Sequence, residues 1–130
     1  MNLLSDLNQF CGSEEWYHGI TKKVIYSEGV KYLATKAKCY WLIDAITSHI
    51  LLNPNFKTAL LSENLHFWKL KKTNGGAMLR AIKDEGEKSF CSQQIPYTDF
   101  PFNELGNEFV LYVGNDGPGT PWKIFLPSEH

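Results

Sequence analysis

Apolar positions in the first half of the chain recur at helical spacing. Leu3, Leu4, Leu7 and Phe10 suit a short amphipathic helix stopped at Gly12, and Ser13 before Glu14 and Glu15 would cap a further turn. Lys22 to Tyr26 reads as a short extended piece. Ser27 then caps a stronger helix, because Val30, Leu33, Ala34 and Ala37 form one apolar stripe while Lys31, Thr35, Lys36 and Lys38 fall off it. From Cys39 to Leu52 the pattern grows more apolar, with Trp41, Leu42, Ala45, Ile46 and Ile50 along one side. The spacing leaves open whether residues 26–53 form one helix or two, broken near Lys38. Asn53-Pro54 ends the run, since proline disfavours helix in the residue before it. Residues 55–63 are expected to add a short helical turn.

Beyond residue 64 the period changes from helical to alternating. Leu65–Lys72 and Ala77–Lys83 read as strands joined through Thr73-Asn74-Gly75-Gly76, a hairpin signal. After a turn at Asp84–Glu87, Lys88–Ile95 can be a third strand, Glu108–Val113 a fourth and Trp122–Leu126 a fifth. Pro96–Gly106 is a loop carrying Phe100 and Phe102, and Asn115–Gly119 is turn chemistry. Helices followed by strands predict an α+β fold, with N-terminal helices packed on one face of a C-terminal antiparallel meander of four to five strands. The chain of 130 residues is read as one domain, with a helical half over about 1–63 and a sheet half over about 64–130.

Composition narrows the function classes. Thirteen basic and fourteen acidic side chains give a net charge of −1, and Arg80 is the sole arginine, so duplex nucleic acid is a poor partner. No apolar run is long enough to span a membrane. Three cysteines, Cys11, Cys39 and Cys91, are an odd number with no close pair, and the N-terminal residues do not read as a signal peptide; both predict a reducing cytoplasm. No spacing among His18, His49, His66 and the cysteines suggests a metal site, and no cofactor motif is present. His49 and Asp44 fall on different faces of their helix, so they do not form a pair. A buried Asp44 would need a hydrogen-bonding partner.

The chain resembles a domain-of-unknown-function family of small bacterial, plasmid and phage proteins. The stretches that carry the likeness are Gln9-Phe10-Cys11-Gly12-Ser13-Glu14, Trp16-Tyr17-His18, Tyr26 to Ala34 and Tyr40-Trp41-Leu42-Ile43-Asp44-Ala45-Ile46, with Phe125-Leu126-Pro127-Ser128-Glu129 as a closing motif. The resemblance implies a cytoplasmic protein, often on mobile elements, and brings no activity or catalytic residue with it.

The segment Glu14-Glu15-Trp16-Tyr17-His18 concentrates acids, aromatics and a histidine. The plainer reading is a helix cap followed by aromatics packed on the core. Three functional readings stand beside it. The first is a non-enzymatic protein-binding surface built on Trp16, Tyr17 and His18, with Trp68 next, because tryptophan and tyrosine dominate interface hot spots. The second is a small enzyme or ligand site with His18 as acid or base, Glu14 orienting it and Tyr17 beside it. The third is single-stranded nucleic-acid binding on Trp68 with Lys69, Lys71 and Lys72. Cys11 with His18 as nucleophile and base is weaker than all three, and Cys39 and Cys91 read as core. His66 reads as a strand surface residue. The first reading is preferred, with another protein as the partner and a homodimer as an option.

Overall fold

The computed structural model describes residues 3–52, 65–83, 86, 88–117 and 119–130. The helical turn expected over 55–63, the Asn53-Pro54 stop and most of the turn at 84–87 lie outside the described residues. The elements run α1 (Leu3–Leu7), β1 (Trp16–His18), β2 (Val24–Ser27), α2 (Glu28–Lys36), α3 (Tyr40–Leu52), β3 (Leu65–Lys72), β4 (Ala77–Ile82), β5 (Cys91–Ile95), α4 (Phe102–Leu105), β6 (Glu108–Gly114) and β7 (Trp122–Phe125), closed by a 3-10 turn at Pro127–Glu129.

The fold is α+β, but its sheet has seven strands in the order β1-β2-β7-β6-β3-β4-β5. All neighbours are antiparallel except β2 and β7, which run parallel. The expected division into a helical half and a sheet half is therefore corrected. Two strands come from the first 27 residues, and β2 pairs with β7 across about a hundred positions of chain. Trp16–His18 is three residues long, too short to show a period, so local pattern reads it as a continuation of a cap.

One helix or two is settled at Lys38. Its φ of 53° is left-handed, the Cys39 N–H reaches back to the Ala34 carbonyl at 3.0 Å, and the Ala37 N–H bonds the Leu33 carbonyl at 2.8 Å. This satisfies the last carbonyls of α2 and turns the chain before α3 starts. Cys39 is buried immediately after the turn, and burial, with Asp99 contributing, pushes its thiol up to about 12 from 9.0. The unfolded chain would ionise this thiol near 9.0 and the folded chain would not. Its stabilising contribution is thus whole below pH 9 and lost as pH rises toward 12. The drop in urea midpoint between pH 8.5 and 10.5 is expected to be larger for the wild type than for Cys39→Ala.

At its start, α2 is capped as the sequence predicts. Ser27 Oγ accepts from the Val30 N–H at 3.1 Å. That hydroxyl also donates to Glu129 Oε1 at 2.6 Å, and the same carboxylate accepts from the Leu126 N–H at 2.9 Å and the Gly29 N–H at 3.3 Å. The closing Leu126-Pro127-Ser128-Glu129 is thereby clamped onto the positive end of α2. A Cβ on Gly29 would sit 2.6 Å from Leu126 Cδ1, so glycine is what lets the clamp close. Glu129→Ala leaves two backbone donors and a hydroxyl short of a partner. It is expected to cost about 2 kcal/mol in urea unfolding.

The core lies between the sheet and the helices. One contiguous cluster joins Leu3 and Leu7 of α1, Leu33 of α2, Ile46 and Ile50 of α3 and Phe102 of α4 to the inward strand positions Tyr26, Ile124, Leu111, Trp68, Leu70 and Leu79. Trp68 is 1% exposed, which removes it from any surface. His66, expected at the surface, is fully buried between the rings of Phe90 and Trp122, at 5.1 and 5.5 Å. Positions 66, 68 and 70 share the helix-facing side of β3, and strand alternation allows no other outcome once Leu70 is inside. Phe100, Phe102 and Trp122 are buried as well. Asp44 is exposed, so it needs no buried partner.

Candidate functional site

Strand register defines what the other side of the sheet carries. Phe67 pairs with Tyr112 and Tyr112 with Phe125, so three aromatics cross the middle of the sheet in one row. Their rings meet edge to face, 4.9 Å apart for Phe67 and Tyr112 and 5.8 Å for Tyr112 and Phe125. The next row places Val110, Lys69 and Arg80 side by side, and the one after it Glu108, Lys71 and Met78. Toward the opposite end, Ile25 lies beside Lys123. Phe67, Val110, Met78, Tyr112, Phe125 and Ile25 are half-buried. Of the described helices, those with residues in the core pack on the other side. His130 folds back over this row, stacked on Phe125 at 20° and 5.9 Å.

The sequence-predicted residues are split by the same alternation. On β1, Trp16 and His18 share the side away from the core with Ile25 and Lys123, and the Lys123 ammonium stands 5.2 Å from the centre of the Trp16 ring. Tyr17 points the other way. Its ring lies 6.0 Å from that of Tyr26 and carries the Lys31 ammonium 4.0 Å above its centre. The Tyr17 hydroxyl donates to Glu15 at 3.0 Å, and this bond, with some desolvation, raises its pKa above 10.0. His18 is exposed, and its Nδ1 meets the Gly19 carbonyl at 3.1 Å. The carboxylate in this segment that reaches a side chain is thus Glu15, not Glu14, and it reaches Tyr17 rather than the histidine. Trp16, Tyr17 and His18 do not converge on one point. Trp68 and its neighbours Lys69 and Lys71 also point to opposite sides of the sheet, which separates the indole from the lysines in the third reading.

A cleft of about 650 Å³ opens elsewhere, between Thr21–Lys23, the end of α3 at Ile50 and Leu51, and the Thr120–Trp122 segment. Glu14, Tyr17 and His18 do not line it. Among the described residues, no three His, Cys, Asp or Glu side chains gather as a metal ion would require. No described helix is long and apolar enough to cross a membrane.

Phe67, Tyr112 and Phe125 were missed by sequence reasoning. A signal for them existed. In Glu108-Phe109-Val110-Leu111-Tyr112-Val113 the apolar residues do not alternate with polar ones, so both sides of that strand carry apolar surface.

Fold and surface together define an α+β protein with helices packed on one side of a mixed sheet and an aromatic, basic surface on the other. The chain belongs to the DUF6876 family, a family of unknown function, whose model matches residues 1–130. It is similar to a crystal structure of a protein of unknown function from Enterococcus faecalis, at 20% identity and a TM-score of 0.59, covering 82% of this chain and 89% of that one. At that identity the likeness shows the fold alone. A comparison with curated proteins found no match.

Proposed function

We propose that the protein is a binding module that occupies the surface of another protein with the side of its sheet opposite the core. The observation behind this reading is the row Phe67–Tyr112–Phe125, flanked by Val110 and Met78, half-buried on the side opposite the core. A sheet face meant for water carries polar residues, and a contiguous apolar one is what interfaces cover. Lys69, Lys71, Arg80 and Lys123 surround the row; Glu108 lies 3.9 Å from Lys69 and Asp116 pairs with Lys123 at 2.8 Å, so the excess basic charge sits at Lys71 and Arg80 and fits a partner acidic at its rim. Trp16 and His18 extend the surface at its β1 end. In this reading the partner is a host or element-encoded protein whose replication, transfer or defence role is modulated. That last part rests on the resemblance to mobile-element proteins.

The test compares wild type with Tyr112→Glu and Lys71→Glu in a pull-down from native lysate at low and moderate salt. One protein recovered in near-equal amount with the wild type, reduced by Lys71→Glu and lost with Tyr112→Glu, supports the reading. Recovery unaffected by either variant overturns it. Sedimentation of the pure protein tells whether that partner is a second copy of this chain.

The same residues suit single-stranded nucleic acid less well. The rings of Phe67, Tyr112 and Phe125 are packed against one another at 71° and 79°, and His130 covers Phe125, whereas a base-stacking platform offers its ring faces to the ligand. A labelled dT oligonucleotide is expected to show no anisotropy change at moderate salt. Tight, salt-sensitive binding abolished by Lys71→Glu would transfer the surface to nucleic acid.

A further inference from the structure

On the helix side of the sheet, α3 brings His49 against the outer strand β5. Cys91 Sγ lies 3.1 Å from His49 Nδ1, and His49 Nε2 lies 2.8 Å from Gln93 Oε1. Cys91 and Gln93 are two positions apart on the strand and so share its face. An amide oxygen only accepts, so the neutral ring holds its proton on Nε2 and turns the Nδ1 lone pair toward the thiol. A thiol, a base within hydrogen-bond reach and a third group that orients the base are the parts of an activated cysteine nucleophile. The Trp68 ring, 5.7 Å from that of His49, forms an apolar wall beside them. Cys39 differs. Its thiol meets the Leu33 carbonyl at 3.8 Å, and its burial holds it protonated.

We propose that Cys91 is a nucleophile, with His49 as its base and Gln93 as the residue that positions the base, and that the site takes a small activated acyl group, an ester or thioester. His49 Nδ1 accepts the thiol proton as Cys91 Sγ bonds to the acyl carbon. The bond from that carbon to the leaving oxygen or sulfur breaks, and the leaving group takes the proton from the imidazolium. Water, giving a proton to the same nitrogen, then adds to the thioester. The carboxylic acid departs and the thiol is restored, with no oxidant or reductant involved. Cys91 is 4% exposed, which limits the acyl group to a short one, and Gln93 beside it on the outer strand is exposed. The site lies on the side of the sheet opposite the proposed binding surface and stands or falls separately from it.

The experiment uses the full chain with Cys11→Ser, treated with p-nitrophenyl acetate at pH 7 and mapped by peptide mass spectrometry. Acetyl is expected on Cys91 and not on Cys39, and formed about a hundredfold faster than in His49→Gln. Gln93→Ala is expected to slow the reaction, and Gln93→Glu, which keeps an acceptor oxygen, to restore it. Absence of acetyl on Cys91 in acid-quenched samples, together with no His49-dependent release of p-nitrophenol, overturns the proposal, as does a rate indifferent to His49. If His49→Gln does not fold, the wild-type rate is set against that of N-acetylcysteine at the same pH. A slower Cys91 overturns the proposal and a faster one upholds it.

Discussion

Trp68→Ala is expected to lower the stability to urea by about 4 kcal/mol, a large fraction of what a domain of this size has to lose. The indole is 1% exposed and sits at the centre of the sheet, with Ala81 of β4 on one side and Leu111 of β6 on the other. Its ring also reaches His49 of α3, so it holds the helix layer to the strands. Removing it empties a volume that three rigid neighbours cannot refill. Lys71→Ala, three residues away on the opposite side of the same strand, is expected to change stability by less than about 0.5 kcal/mol. A Trp68→Ala variant as stable as Lys71→Ala would return the indole to the surface.

Gly76→Ala is expected to cost about 3 kcal/mol, and Gly75→Ala only about 1 kcal/mol. Both glycines lie in the β3–β4 connection, but for different reasons. Gly75 has a φ of 83° and open space where a Cβ would go, so alanine there meets only the cost of a left-handed backbone. Gly76 has no such φ, but a Cβ on it would lie 2.0 Å from the Ile95 carbonyl oxygen and 2.7 Å from Pro96 backbone atoms. These are main-chain atoms at the end of β5, and they move only by drawing that strand off β4. Thermal melts of the two variants check the order, and equal losses would contradict the close approach. Because β5 carries Cys91 and Gln93, Gly76→Ala is also expected to slow acetylation of Cys91.

The hairpin itself was legible in Thr73-Asn74-Gly75-Gly76, although positive φ falls on Gly75 alone of that turn. Whereas the break at Lys38 stayed open until the structure placed it, the Ser27 cap and the strands read at Glu108–Val113 and Trp122–Leu126 were legible too. Each depends on residues within a few positions of one another. The candidate surface was only half legible. Trp16 and His18 lie on the same side of the sheet as the Phe67–Tyr112–Phe125 row, but Tyr17 is turned away by strand alternation, and Trp68 is inside.

What the sequence by itself determined is most of the local elements and their apolar stripes, with the short β1 and α4 excepted, because helical and strand periods, caps and turn residues act over a few residues. It also determined that helices and sheet would share one core. What only the tertiary structure decided is pairing: β2 beside β7, Phe67 beside Tyr112 and Phe125, the Glu129 clamp on α2, and His49 against Cys91 and Gln93. None of these has a spacing that sequence could display. They arise where strands and helices distant in the chain meet to bury their apolar sides, and the polar groups along those seams then take the partners that packing brings to them.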